Sequence, residues 1–201
     1  MNASADLVFR IATALIIAAW IITRLIVQKK VSGAEKTTKV NASKERRSYM
    51  LVGLSMVPAK FYVLGGLSGV ASMALPDSLR WVGMALGALG CVLFAWTHAA
   101  LGKNWSGVLE IAKEHTLVTH GPYKLIRHPM YSAFFLMGIG ILLVSSNWLV
   151  GGVLVAAIAY MYFGRVHNEE KMMLDQFGDD YQAYMRRTGR LIPRATVPFS
   201  G

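Results

Sequence analysis

Charged residues are scarce in this chain: Asp, Glu, Lys and Arg make up 16% of its 201 residues, well below the roughly one-quarter of an ordinary soluble domain. With 54% hydrophobic residues and a positive mean hydropathy, that scarcity excludes a typical soluble domain and favours a membrane protein. Cysteine is nearly absent. Cys91 stands alone inside an apolar run, so no intrachain disulfide and no cysteine-rich metal site can form. The five histidines include no His-Glu-x-x-His and no close His-x-His pair, so no metal centre is expected. A glycine fingerprint following a strand is missing too, which excludes a soluble-type dinucleotide fold. Acidic residues number 11 against 21 Lys and Arg, for a formal charge of +10. The basic residues come in short blocks between apolar runs, which fits membrane topology rather than nucleic-acid binding.

Five apolar runs are present. Residues 7–27 are long enough to cross a hydrocarbon core of about 30 Å, and they run into Arg24, Lys29 and Lys30 without a small-x-small cleavage site, so a retained helix is expected rather than a cleaved signal peptide. Residues 50–75, a run broken by Pro58 and Lys60, and residues 81–100 follow a basic loop and are expected to pair as a hairpin around Pro76-Asp77-Ser78. Residues 129–144 and 148–164 are separated only by Ser145-Ser146-Asn147 and predict a second antiparallel hairpin. The expected fold is an all-α integral membrane protein with five transmembrane helices and a cytosolic C-terminal helical tail. The charged loops then share one side, so the N-terminus is non-cytosolic and the C-terminus cytosolic. Residues 1–100 form an N-terminal three-helix membrane region, and residues 101–201 carry the polar connection, the hairpin and the tail. In that tail Gly178 before Asp179-Asp180 marks one helix ending and another being capped. Gly83-x-x-x-Gly87 and Gly65-x-x-x-Gly69 are packing signatures of apolar helices.

Chemistry concentrates between His115 and Tyr131. His128 and Tyr131, three apart, face one side of a helix whose first turn holds Pro129, and that helix start offers unpaired N–H groups to an anion. Such a pair is also common at membrane interfaces; the neighbours Tyr123 and Arg127 favour a site. Arg165 and Glu169, four apart, share a helical face. A surface bridge of that spacing is worth under about 1 kcal/mol, whereas ionisable groups near membrane depth point to function. The spacing leaves both readings open. Lys60 is read as a snorkelling or break-filling residue, His98 as a structural histidine, and Asn104 and Trp105 as supporting loop residues.

The ordered set His115-Thr-Leu-Val118, Gly121-Pro-Tyr123, Arg127-His-Pro-Met-Tyr131, Arg165-x-x-x-Glu169-Glu170 and Phe177-Gly-x-x-Tyr181 resembles the isoprenylcysteine carboxyl methyltransferase family. The resemblance covers roughly residues 101–193; Arg-His-Pro-x-Tyr by itself also occurs in phospholipid methyltransferases and membrane sterol reductases. It implies a membrane enzyme that uses S-adenosylmethionine. Carried over by motif, it puts His115, Thr116, Leu117 and Val118 along the cofactor with Tyr123 nearby, and His128, Pro129, Met130 and Tyr131 on it. Glu169 completes that pocket and Arg165 faces the methyl acceptor, so these two are the catalytic candidates. Ala133 stands where many relatives have glycine, a change that bears on helix packing or pocket width.

Methyl transfer from an activated sulfonium asks chiefly for alignment and exclusion of water. The faces of Tyr123 and Tyr131 suit a cationic sulfonium, and Glu169 suits a ribose or amino donor. Arg165 can fork onto a carboxylate, which is ionised at neutral pH and needs no general base; a thiol or amine acceptor would need one. The expected partners are the bilayer and a lipophilic or small acceptor, with no nucleic acid. Two other functions remain open: a nicotinamide-dependent reductase of the sterol type, and a non-enzymatic membrane scaffold or small transporter. The transporter reading lacks the repeated halves it usually needs.

Overall fold

A computed structural model describes residues 3–31, 42–67, 69–102 and 116–194. The expectations for His115, Asn104 and Trp105 lie outside the described residues. Among the described residues six α-helices follow in order: α1 (Ala3–Val31), α2 (Ala42–Ser55), α3 (Val57–Val63), α4 (Asp77–Leu101), α5 (Pro129–Ser145) and α6 (Val153–Arg187). A 3-10 turn spans Gly121–Lys124 and a π turn spans Trp148–Gly152.

Three stretches, Ala5–Lys29, Asp77–Leu101 and Trp148–Arg187, are long and apolar enough to cross a membrane, while Pro129–Ser145 is apolar but shorter. Their outer faces are greasy. On α1, Leu7, Ile11, Leu15, Ile22 and Ile26 are exposed while Phe9, Ala12, Ile16 and Trp20 form the buried stripe, the pattern of a helix with lipid on one side and protein on the other.

The expected second crossing, residues 50–75, is not one helix. α2 stops at Ser55, and α3 begins at Val57 with Pro58 in its first turn, where proline's missing N–H removes one rung of the helical ladder. After Val63 the chain turns through Gly65 and Gly69, both at positive φ, so the Gly65-x-x-x-Gly69 spacing serves turns and not helix packing. The hairpin expected between the second and third runs is also replaced: α4 packs mainly on α5 and α1. Glycine explains this seam. A Cβ on Gly140 would lie 2.6 Å from the Gly87 backbone nitrogen, and one on Gly90 would lie 2.7 Å from Met137 Cγ. Backbones this close hold α5 against α4.

The α5–α6 hairpin forms where the sequence places it. Ser146 takes a left-handed conformation at the end of α5, and the Asn147 side chain accepts from Leu149 N and Val150 N while donating to Val70 O at 2.7 Å. Gly178 breaks α6 at φ +49 and ψ −122, with nothing within 4 Å of where a Cβ would be. Its backbone conformation, not crowding, is what asks for glycine.

At the end of the bundle near the start of α4, a buried cation ties four segments together. Arg80 is 2% exposed; its Nε donates to Val144 O at 3.0 Å, and Nη2 reaches Asp6 and Tyr62, each at 3.3 Å. Its guanidinium lies 3.8 Å from the centre of the Phe9 ring. Removing one partner of such a buried set leaves an uncompensated charge. Arg80→Ala should therefore destabilise the protein by about 3–5 kcal/mol, read as a lowered melting temperature in detergent, with Arg80→Lys falling between; an unchanged melting temperature would show that the network does not hold α1 on α4.

Candidate functional site

The site forms where the start of α5 meets the polar stretch of α6. Pro129 is the first residue of α5 and His128 precedes it; Tyr131 then projects from the first turn towards α6. On α6 the successive Glu169 and Glu170 diverge by about 100°, the angular step of a 3.6-residue helix, so each carboxylate serves a different set of partners.

Glu169 gathers the groups singled out by spacing. Tyr131 donates its hydroxyl to Glu169 Oε1 at 2.7 Å, Arg165 Nε lies 3.3 Å from the same oxygen, and His128 Nδ1 lies 3.6 Å from Oε2. The Arg165–Glu169 pair is no solvated surface bridge, because the two side chains are only 11% and 17% exposed. Arg165 Nη1 also donates to the Tyr49 hydroxyl at 2.9 Å, and Tyr49 lies between the guanidiniums of Arg165 and Arg24, each 5.4 Å from its ring centre. Tyr131 is packed edge-on against Tyr162 and Phe134, which fixes its hydroxyl on Glu169.

Glu170 organises the second set. Arg127 Nε donates to Oε1 at 3.2 Å, and Arg190 donates to both oxygens, at 3.1 and 2.6 Å. His128 Nε2 lies 3.4 Å from Oε1, so one imidazole bridges the two glutamates. The Glu170 carboxylate raises the pKa of Arg190 above its ordinary value, keeping it charged. Arg127 reaches further: Nη1 donates to the carbonyls of Met185, at 3.0 Å, and Thr188, which are unpaired acceptors at the end of α6. Its role is to cap that helix and hold the tail.

The tail returns along the segment before α5. Arg127 N donates to Gly189 O at 2.8 Å, His128 N to Arg190 O at 3.0 Å, and Ser132 Oγ to Leu191 O at 2.6 Å; Ile126 and Gly189 make an isolated parallel bridge. His128 is thereby held by its backbone and by both ring nitrogens.

Tyr123 sits in the 3-10 turn, and its carbonyl accepts from the Tyr184 hydroxyl at 2.7 Å. Burial, followed by the Tyr184 and Glu169 charges, pushes the Tyr123 hydroxyl above its ordinary pKa, so it stays protonated. Thr116, Leu117 and Val118 lie on the extended stretch entering that turn, Thr116 exposed and the other two half-buried. Met130 packs against the main apolar cluster. His98 donates Nδ1–H to Phe94 O at 2.8 Å and stacks edge-on against Phe94, a structural placement. Sequence reasoning missed Tyr49 and Arg190 as partners of the site. Neither stands in a motif, and tertiary folding alone brings them in. Glu170 was visible in the Glu-Glu pair but had no distinguishing spacing.

A cavity of about 710 Å³ adjoins the Arg165 side, walled by α1, α2, α3, Phe134, Ile158 and Met161, and ending at Tyr49. Met161 is one turn before Arg165 on the same helical face. The walls are apolar apart from Arg24, Tyr49 and the exposed Lys60.

Residues 81–175 match the isoprenylcysteine carboxyl methyltransferase (ICMT) family. The chain is 33% identical to the cobalt-zinc-cadmium resistance protein CzcN of Cupriavidus metallidurans, over 59% of this chain and 56% of that protein. It is 32% identical to the protein-S-isoprenylcysteine O-methyltransferase of Tribolium castaneum, over 56% of this chain and 41% of that protein. The chain thus spans about half the length of the curated relatives it matches. Among solved structures, the eukaryotic intramembrane Ras methyltransferase ICMT shares the fold, with a TM-score of 0.63 and 23% identity over 96% of this chain and 69% of that one. With its apolar helices, the protein is an integral, multi-pass membrane protein, and residues 81–175, which hold His128, Tyr131, Arg165 and Glu169, are similar to the isoprenylcysteine carboxyl methyltransferase family.

Proposed function

We propose that the protein transfers a methyl group from S-adenosylmethionine to the carboxylate of a lipophilic acceptor of prenylcysteine type. The observation that carries this reading is the position of Arg165, held between Glu169 and Tyr49 beside an apolar cavity of about 710 Å³. Arg165 reaches that cavity through Tyr49, which lines it, and a guanidinium beside a greasy cavity suits an acceptor with a hydrocarbon body and an anionic head.

The donor set fits the proposed cofactor. Glu169 is an acidic acceptor beside the Tyr131 ring and His128, and an aromatic face near a carboxylate suits a sulfonium joined to a ribose and an amino acid. His128, Pro129, Met130, Tyr131, Tyr123 and Glu169 would hold it, with Thr116, Leu117 and Val118 along its edge and His115 at the start of that stretch. When bound, S-adenosylmethionine supplies an already activated methyl group. Arg165 binds and orients the acceptor carboxylate with the planar fork that Glu169 and Tyr49 pre-set. Tyr131 and Tyr162 keep water from the contact. A carboxylate is ionised at neutral pH, so no residue need remove a proton.

In this reading the broken α2–α3 stretch enters the bilayer as the second of five membrane segments, with the N-terminus non-cytosolic and the polar half of α6 and the tail cytosolic, where the donor is dissolved. Residues 1–100 then serve mainly as membrane scaffold, and residues 101–201 carry the cofactor side. The reductase reading shares the Arg-His-Pro-x-Tyr pattern and is separated by its cofactor.

S-adenosylhomocysteine should bind the purified protein in detergent by calorimetry and raise its melting temperature, as any ligand selective for the folded state does. NADPH should do neither, and a stabilisation by NADPH alone would replace this reading with a reductase. Tyr131→Phe and Glu169→Gln should each weaken S-adenosylhomocysteine binding about tenfold, the scale of one hydrogen bond to a charged group. Arg165→Lys, which keeps charge but loses the fork, should lower turnover of a prenylcysteine substrate about 100-fold while leaving S-adenosylhomocysteine affinity nearly unchanged. Equal losses in both would move Arg165 to the cofactor side.

A further inference from the structure

Outside the Glu169 cluster, the returning tail encloses a second concavity of about 600 Å³, whose lining includes Arg127, Tyr162, Met185, Arg190, Ile192 and Arg194. Its two sides differ. One is cationic: residues 185–194 carry Arg186, Arg187, Arg190 and Arg194 and no acidic residue. Among the described residues the carboxylate that pairs with this group is Glu170, which holds Arg127 and Arg190; Arg186, Arg187 and Arg194 have no carboxylate within ion-pair reach. Arg194 donates Nη1 to Arg186 O at 2.7 Å, which fixes its head at the rim. Each guanidinium has five N–H donors, so Arg190 and Arg194 keep donors to spare after these bonds.

The other side is apolar and belongs to the membrane-crossing part of the molecule. Tyr162 and Ile192 line it, Ile192 being 76% exposed, and next to Tyr162, outside the lining, Phe163 is 73% exposed on α6. A soluble phosphate would use the arginines and ignore the apolar side, whereas an amphiphile uses both. We propose that this groove binds an anionic phospholipid of the surrounding bilayer, its phosphate against Arg190 and Arg194 and its chains running past Tyr162 and Ile192 onto the exposed apolar surface at Phe163. The attraction is that of a basic juxtamembrane segment for an anionic leaflet, about 1 kcal/mol per arginine, sharpened by a fixed groove. Since Arg190 also holds Glu170, an occupied groove presses the tail onto the segment that positions His128. This inference is independent of the methyl-transfer reading, because its test uses no reaction.

The full-length protein in a zwitterionic detergent is titrated with short-chain phosphatidylglycerol, short-chain phosphatidylcholine or glycerol phosphate, following melting temperature and, by native mass spectrometry, bound lipid. Phosphatidylglycerol should give a saturable rise and a retained adduct, and the other two neither. Arg194→Gln, at an exposed position away from Glu169, should weaken phosphatidylglycerol about fivefold. Equal or absent responses to the two lipids, or an unchanged affinity in Arg194→Gln, would overturn the proposal. A rise reproduced in full by glycerol phosphate would assign the groove to a soluble phosphate and overturn the lipid assignment.

Discussion

One buried carboxylate sets the geometry on which the rest depends. Glu170 is 4% exposed, and a lone charge at that burial would be untenable. It is stable because Arg127 comes from the segment before α5, His128 from the α5 boundary and Arg190 from the tail. Two stretches distant from each other in sequence, residues 127–128 and the tail at Arg190, are thus obliged to meet at one residue of α6. Arg127 extends the constraint by capping the carbonyls that end α6, which fixes where the tail turns back. The neighbouring Glu169 is then left pointing at the opposite side of His128, where Tyr131 and Arg165 reach it. The supporting carboxylate and the proposed functional one are adjacent in sequence and opposite in duty.

The apolar part of the bundle supplies the platform for this polar knot. Glycines on α4 let α5 approach until backbones touch, and the Asn147 cap starts the return to α6 within two residues of the end of α5. At the other end, Arg80 gathers Asp6, Tyr62 and the Val144 carbonyl, so α1 and the α3 region are held to α4 and α5 by one cation. Between these two polar locks the contacts are apolar and the outer surfaces face lipid. The cavity beside Tyr49 lies at the broken α2–α3 stretch, with both short helices and α1 in its wall.

Much of this was legible from residue order. The crossings at α1 and α4, the tight hairpin at Ser145-Ser146-Asn147 and the stop at Gly178 each rest on local rules: run length, cap chemistry and a glycine-only conformation. The spacing of Arg165 with Glu169, and of His128 with Tyr131, placed each pair on one helical face, and the structure joins the two pairs. The break of the second run was legible at Pro58, whereas the expected α4 hairpin failed because glycine spacing says a helix packs closely without saying against which neighbour.

The sequence by itself determined that this is a membrane protein, where most of its helices begin and end, and which short polar stretch is the candidate for its chemistry; those follow from periodicity, composition and motif, which are local. The tertiary structure alone decided that Arg190 and Tyr49 belong beside that stretch, that Arg127 caps a helix some sixty residues away, and that Glu169 and Glu170 divide their work. Those choices arise from burying charge, and a buried charge selects its partners by proximity in space, which no spacing along the chain encodes.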